Sequence, residues 1–245
     1  GSGAFQANGG AGGGSLYYGT GGGGGGGRIT IDAATGSFVG LAVAFGSANG
    51  DGSAGSGGSG TVYWTQADRL VIANNDAPRS NSAAGLTEGA YQFTLIELRD
   101  SGNLETLGAT SAITLTSASS LQGDGSGTFT TWGTVTLPST LTVSGLTLDP
   151  RGTVNGANDL TIGGTPGIVS GLILRGDGTQ KVFGSLTVAI SGTLTAIPKN
   201  NGDSNYADDL PVTIQASTVT VDPGGVITAD WLGYGPGMDD GVGPG

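Results

Sequence analysis

The chain contains no cysteine and no histidine, and it has a single methionine among its 245 residues. Without thiols or imidazoles it cannot supply a thiol nucleophile, a Ser–His–Asp triad, a zinc finger or the usual ligands of haem and iron–sulfur clusters. Positive charge is also scarce, because 8 Lys and Arg stand against 19 Asp and Glu, for a formal net charge of −11. Since phosphate binding requires a basic surface, we expect no nucleic-acid partner. No apolar run approaches the ~18 residues of a membrane span, so we expect no membrane insertion.

Glycine, in contrast, is abundant. The 52 glycines and 9 prolines make up about a quarter of the chain, which approaches the composition of low-complexity segments. A Gly-X-Y period is absent, which excludes a collagen helix. Charged residues are few and the Val, Ile and Leu residues are concentrated in short runs, so the composition favours a folded chain over a disordered one.

These runs are the main structural signal of the sequence. Each has three to six residues, is rich in β-branched types, alternates with period two and is bounded by Gly, Asn, Asp, Ser or Pro, which is typical of short strands. No window has apolar residues at helical spacing, so the sequence predicts an all-β chain with very little helix. The runs cover residues 29–31, 41–43, 61–64, 70–72, 93–98, 113–115, 135–137, 141–143, 146–148, 160–162, 172–174, 186–188, 212–214 and 219–221.

A loose internal repeat indicates how the strands are arranged. Residues 144–148 (SGLTL) recur as 170–174 (SGLIL), and residues 149–152 (DPRG) resemble 222–225 (DPGG). Leu, Val and Ile alternate with Thr, and small residues separate the runs. This pattern predicts a parallel β-solenoid, in which stacked coils form a continuous aliphatic core that no single coil could bury alone. The alternative is a β-sandwich of two facing sheets.

Two glycine-rich stretches carry a family resemblance. Residues 21–31 (GGGGGGGRITI) and 57–63 (GGSGTVY) resemble a repeat of very large, glycine-rich bacterial surface proteins, and residues 226–235 resemble the other end of that repeat. Those proteins are similar to right-handed parallel β-helices of the pectate-lyase-like and adhesin-passenger type. The resemblance covers residues 16–66 and 212–245, and it implies a right-handed β-helix at a bacterial cell surface.

The sequence predicts three regions: a glycine-rich N-terminal tract or cap at 1–27, a β-helix body at 28–230 and a Gly/Pro-rich tail at 231–245. We expect a non-enzymatic structural module of a secreted or cell-surface protein, such as a rigid stalk, an adhesin segment or a fibre-forming subunit. An acidic chain with only two lysines suits an extracellular location. The expected partners are copies or neighbouring repeats of the same protein, which could stack end to end, and surface glycans.

A carbohydrate-binding or carbohydrate-cleaving β-helix is the first alternative. Asp203, Asp208 and Asp209 lie in a polar segment between strands, where they form a weak candidate for a Ca²⁺ site or an acid/base pair. Since neighbouring side chains in a strand point in opposite directions, this cluster converges only in a bend. We expect no catalytic residues and no cofactor other than this calcium. Several aromatic residues could stack on sugars or cover the ends of the solenoid: Tyr17, Tyr18, Trp64, Trp132, Tyr206, Trp231 and Tyr234.

Ice binding is the second alternative, because Thr-x-Thr pairs on a flat solenoid face can order water. Their spacing in the sequence is irregular, which argues against a flat array in register. The pairs lie at 114/116, 134/136, 140/142, 193/195 and 218/220. At the other end of the chain, we expect Arg28 to bond carbonyl groups of the glycine tract or to pair with Asp32.

Overall fold

The computed structural model describes residues 3–12, 23–33, 41–47, 57–74, 83–156, 159–199 and 210–229. These ranges contain twenty β-strands, one turn of 3₁₀ helix at Thr65–Ala67 and no α-helix. The predicted all-β class is therefore confirmed. The strands are β1 Ala4–Gln6, β2 Arg28–Ile31, β3 Leu41–Val43, β4 Thr61–Trp64, β5 Arg69–Ala73, β6 Ala84–Leu86, β7 Ala90–Phe93, β8 Leu95–Arg99, β9 Leu104–Thr106, β10 Ala112–Leu115, β11 Leu121–Thr131, β12 Thr134–Leu137, β13 Thr140–Pro150, β14 Thr153–Gly156, β15 Asp159–Ile162, β16 Ser170–Arg175, β17 Gln180–Val188, β18 Gly192–Ile197, β19 Thr213–Val221 and β20 Val226–Thr228.

Strand pairing is almost entirely parallel. Among the strands of the described ranges, only β4 and β5 pair in antiparallel fashion. Antiparallel neighbours are joined by tight hairpins, whereas parallel neighbours require the chain to travel away and return. A sandwich of antiparallel sheets would show the opposite balance.

The first ladder consists of β5, β8, β11, β13, β15, β17 and β19, each paired with the next. One residue of each strand lies in register with its neighbours and forms an aliphatic column. The first six members of this column are almost completely buried, while the last is 48% exposed. The column is Leu70, Ile96, Leu121, Val143, Ile162, Val188 and Val221.

The second ladder is built in the same way from β6, β9, the later parts of β11 and β13, and then β16, β18 and β20. Its column is also buried except at the last position, which is 46% exposed. Burying a Leu or Phe side chain of this column contributes about 1.5–3 kcal/mol. The column is Ala84, Leu104, Phe129, Leu148, Leu172, Leu194 and Ile227.

The third ladder is shorter and interrupted. Strands β7, β10, β12 and β14 form a separate four-stranded sheet. Its inward column runs through Tyr91, Ile113, Val135 and Val154. The chain then reaches the same side of the core again in the first halves of β17 and β19, which pair with each other. Within the described residues, β14 and β17 do not pair.

The chain visits the three ladders in a repeating order, from first to second to third, as in β5, β6, β7 and then β8, β9, β10. Their inward residues belong to one hydrophobic core. In β13 the chain passes from the first ladder to the second without leaving a strand, because Gly145 adopts a positive φ of 70° at the bend. A Cβ at this position would overlap the carbonyl oxygen of Gly123 in the next layer, so only glycine fits the corner.

The N-terminal segments form a different kind of structure. The backbone of residues 24–27 bonds to three other segments. The amide of Gly26 donates to the carbonyl of Gly58 (2.9 Å), and that of Gly27 donates to the carbonyl of Ala7 (2.6 Å). The carbonyl of Gly24 accepts from the amide of Ser47 (2.9 Å). A Cβ on Gly57 would overlap the carbonyl oxygen of Gly24. Glycine is thus required for the close approach of these extended segments. The predicted region boundaries at residues 27 and 230 stay predictions, and 231–245 lies outside the described ranges.

Candidate functional site

The beginning of the third ladder forms a cavity that we call the first opening. Among the strands that the structure describes, β7 is the terminal strand of its sheet and pairs only with β10. Its other edge borders a cavity of about 360 Å³, which β2, β4, β6 and residues 68–70 complete. Pockets of this size hold small organic ligands. The side chains that carry its chemistry are Arg28, Thr61, Tyr63, Asp68, Tyr91 and Gln92.

Three aromatic rings line one wall of the first opening. The ring of Tyr63 meets that of Phe93 edge to face, with centroids 6.1 Å apart. The rings of Tyr91 and Phe93 lie nearly parallel at 6.2 Å. Phe93 is buried, whereas both tyrosines are partly exposed. Aromatic pairs prefer these two arrangements, so the contacts hold the three rings in place as an apolar wall.

A carboxylate is fixed beside this wall. The Tyr63 hydroxyl donates a hydrogen bond to Asp68 Oδ1 at 2.9 Å. Burial, together with this bond and the charge of Asp68, raises the pKa of Tyr63, so the hydroxyl stays protonated and remains a donor. The backbone of Asp68 has a positive φ of 44°, and its carbonyl accepts from the amides of Thr94 and Leu95. The position of Asp68 is therefore set by its backbone as well as its side chain.

Arg28 also lines the first opening. Its Nη2 donates to the carbonyl of Gly85 in β6 at 3.4 Å, a residue outside the glycine tract that we expected it to bond. Asp32 accepts instead from Thr65 (2.7 Å) and Gln66 (3.1 Å). These two hydrogen bonds lower the pKa of Asp32, and the bond from Thr65 has the larger effect.

A second opening lies where the third ladder is interrupted. Residues of β14 and the first half of β17 border a cavity of about 260 Å³. Asp177 accepts hydrogen bonds from Lys181 Nζ (2.6 Å) and from the hydroxyl of Thr179 (2.6 Å) at its rim. Partial burial raises the pKa of Asp177, but these bonds outweigh it and lower the pKa from 3.8 to about 2. The carboxylate is thus committed to an ion pair.

Other carboxylates link neighbouring strands through ion pairs with arginine. Asp149 is 3% exposed and accepts from Arg175 of the next coil, through Nε at 3.0 Å and Nη2 at 3.0 Å, and from Arg151 at 3.1 Å. Trp132 lies under the Arg151 guanidinium, 4.8 Å from it, and its indole NH donates to Glu105. Trp132 therefore lies on the side of the stack and not at an end.

Glu97 is engaged in a similar way on the first ladder. It pairs with Arg69 at 2.5 Å and with Arg99 at 3.5 Å. Trp64 and both arginines line a cavity of about 230 Å³. Carboxylates that are occupied by arginine in this manner are poor candidates for general acids or bases, since proton transfer requires access to substrate.

The outer side of the first ladder carries a file of threonines. Thr142, Thr161, Thr187 and Thr220 are register partners in four consecutive strands. The irregular spacing of these threonines in the sequence argues against such an array. In the structure, however, the segments between the strands differ in length, and the threonines still lie in register. The parallel file two residues earlier is mixed, since it consists of Thr140, Asp159, Ser185 and Thr218.

The predicted calcium ligands Asp203, Asp208 and Asp209 lie outside the described residues, and the Ca²⁺ site stays a prediction. The same holds for Tyr17, Tyr18, Tyr206, Trp231 and Tyr234. Within the described ranges, no group of three or more acidic side chains could hold a metal ion. The sequence did not indicate that Tyr63, Tyr91 and Asp68 line one cavity. The alternation in residues 61–64 indicates that Val62 and Tyr63 point to opposite faces of a strand. It does not indicate which strands border a cavity.

Comparison with protein-family models, curated proteins and solved structures finds no match for the chain. In the part that the structure describes, no helix has the length and apolar character needed to cross a membrane.

Proposed function

We propose that the chain is a non-enzymatic structural module of a secreted or cell-surface protein, built as a right-handed parallel β-helix. The observation that carries this proposal is the pair of seven-membered columns in the first and second ladders. Each column joins residues 19 to 33 positions apart in sequence through consecutive parallel pairings. A chain that returns to each ladder in fixed order is the arrangement expected of a solenoid.

The mechanical role follows from the direction of the bonds. Hydrogen bonds between parallel strands run along the stack, and seven strands at ~4.8 Å span about 30 Å. Ion pairs such as Arg175 with Asp149 link neighbouring coils at the surface. A packed aliphatic column has low compressibility and bends little. These features suit a stiff spacer that holds other parts of a surface protein apart.

The charge distribution supports an extracellular setting. The chain has only two lysines and a net charge of −11, and several arginines are bound to carboxylates, as Arg151 and Arg175 are to Asp149. Proteases that recognise basic residues therefore find few sites. An acidic surface also repels other anionic molecules.

Self-association is part of the proposal. The last strands of the first two ladders expose their inward side chains, since Val219, Val221 and Ile227 are 52%, 48% and 46% exposed. In the preceding strands, the equivalent residues Leu186, Val188 and Leu194 are buried. A second copy or a neighbouring repeat would bury these residues and extend the columns. Light scattering should show concentration-dependent association, and a strict monomer at high concentration would refute this part.

The stiffness can be measured between spin labels, because the natural chain has no cysteine. In the variant Gln122→Cys/Thr220→Cys, the labels lie on the third and seventh strands of the first ladder, about 20 Å apart. Pulsed electron paramagnetic resonance should give a narrow distance distribution, and the same variant in urea should give a broad one. A distribution as broad in buffer as in urea would contradict a rigid module.

Ice binding is a second candidate, favoured by the file of Thr142, Thr161, Thr187 and Thr220. Regularly spaced methyl and hydroxyl groups on a rigid face can order water. The wild-type protein should then show thermal hysteresis, and Thr187→Lys should abolish it. The matched control, Thr114→Lys, changes an outward threonine of the third ladder and should retain it. Absence of hysteresis in the wild type would exclude this function.

A further inference from the structure

The first opening lies at the start of the third ladder, beside the outer edge of β7. The chain enters the first ladder through β4 and β5, which pair in antiparallel fashion through residues 62–64 and 69–71. No strand of the described residues lies against the outer edge of β7. Tyr63 contributes its ring to that side instead. A stiff structural module does not need such a cavity, so its polar and aromatic lining calls for another explanation.

We propose that the first opening binds a neutral saccharide. The two partly exposed tyrosine rings, Tyr63 and Tyr91, offer a surface for the C–H face of a sugar ring, in the way that aromatic rings pack on apolar surfaces. The volume of about 360 Å³ lies at the lower end of small-molecule sites and fits one or two sugar rings.

The polar groups of the opening match the hydroxyls of such a ligand. Asp68 Oδ1 is held by Tyr63, while its Oδ2 has no hydrogen-bond partner in the described part of the chain and can accept from a hydroxyl. Arg28 can donate, and Gln92 can do both. Bonds to charged groups are stronger than neutral ones, so Asp68 should dominate recognition.

Charge decides in favour of a neutral ligand. The opening contains one cation, Arg28, and one anion, Asp68, so it offers no net charge to an ion. The net charge of −11 disfavours the approach of anions from solution. A hydroxyl-rich molecule can use both groups without burying a charge of its own.

The test is a titration followed by ¹H–¹⁵N NMR, with glucose, galactose, mannose and N-acetylglucosamine as separate probes. At least one sugar should give saturable shifts that centre on Tyr63, Tyr91 and Gln92. Asp68→Asn should weaken this binding about tenfold or more, since it replaces a charged acceptor by a neutral one. Asparagine tolerates the positive φ of this position, so the fold should persist.

Asp177→Asn makes the same change at the second opening and should leave the affinity unchanged. The proposal is overturned if none of the four sugars binds at millimolar concentration, if the shifts centre elsewhere, or if Asp68→Asn binds as tightly as the wild type. If Asp68→Asn fails to fold, the shift map of the wild type still decides. Failure would leave the structural role untouched, because the spin-label distances do not depend on this cavity.

Discussion

The first and third ladders differ in the continuity of their strand pairing. In the first ladder seven strands pair without a break, and the inward residue of every strand is Leu, Ile or Val. Within the described residues, the third ladder has β7 as its first strand and is interrupted between β14 and β17, and cavities of about 360 and 260 Å³ lie at these two places. The comparison indicates that strand pairing is continuous along the first ladder and interrupted along the third, where the two cavities lie.

The sequence of β14 accounts for the interruption of the third ladder after this strand. In β14 the second inward position is Gly156, which provides no side chain against which a following strand could pack. The corresponding residues in the first ladder, such as Val143 and Ile162, touch neighbours above and below. Continuity of pairing thus goes together with continuity of the apolar column, as expected if burial stabilises each added coil.

The largest effect should come from the middle of the first ladder. Leu121 is completely buried between Ile96 and Val143. Leu121→Ala should lower the free energy of unfolding by about 3 kcal/mol, because it removes buried apolar contacts and leaves a cavity in a close-packed column. Urea denaturation followed by circular dichroism measures it. A loss below about 1 kcal/mol would mean that the column is not close-packed.

A matched pair of valines tests the contrast itself. Val143 in the first ladder is completely buried, while Val154 in the third ladder is partly exposed and borders the second opening. Val143→Ala should cost about 2 kcal/mol and Val154→Ala less than about 1 kcal/mol. Equal losses in the same denaturation assay would show that the third ladder is as well packed as the first.

The smallest effect concerns pH at the second opening. Because the folded pKa of Asp177 is about 2 and its ordinary value is 3.8, this group stabilises the fold above pH 3.8, and its contribution is lost as pH falls toward 2. Its side chain is 43% exposed, so the contribution is below about 1 kcal/mol.

Asp177→Asn should therefore destabilise the protein slightly at pH 6 and less at pH 2. Thermal unfolding of the wild type and the variant across this range measures the difference. A destabilisation that is larger at pH 2 than at pH 6 would contradict the sign of the shift.

Much of the first ladder could be predicted from sequence. Alternation alone predicts strands at 141–143, 160–162, 186–188 and 219–221, and in the structure these triplets are successive members of that ladder. Local alternation is enough here because every triplet has the same environment. Their register was not predictable, since segments of different length separate them in the chain.

The candidate site was less accessible to sequence reasoning. Tyr63 and Tyr91 lie 28 positions apart, and the rings of both pack against that of Phe93. This arrangement depends on the strand pairing of the chain and leaves no local pattern in the sequence. The aspartates that the sequence did single out, Asp203, Asp208 and Asp209, stay a prediction.

The most direct test of the account is the register of the threonine file. Spin labels at 161/187, 142/187 and 142/220 should lie one, two and three strands apart, at about 5, 10 and 15 Å. Continuous-wave electron paramagnetic resonance should show spectral broadening that decreases in that order, with the single-cysteine variants as controls. Absence of broadening in Thr161→Cys/Thr187→Cys, or equal broadening in all three pairs, would contradict a stack of parallel coils.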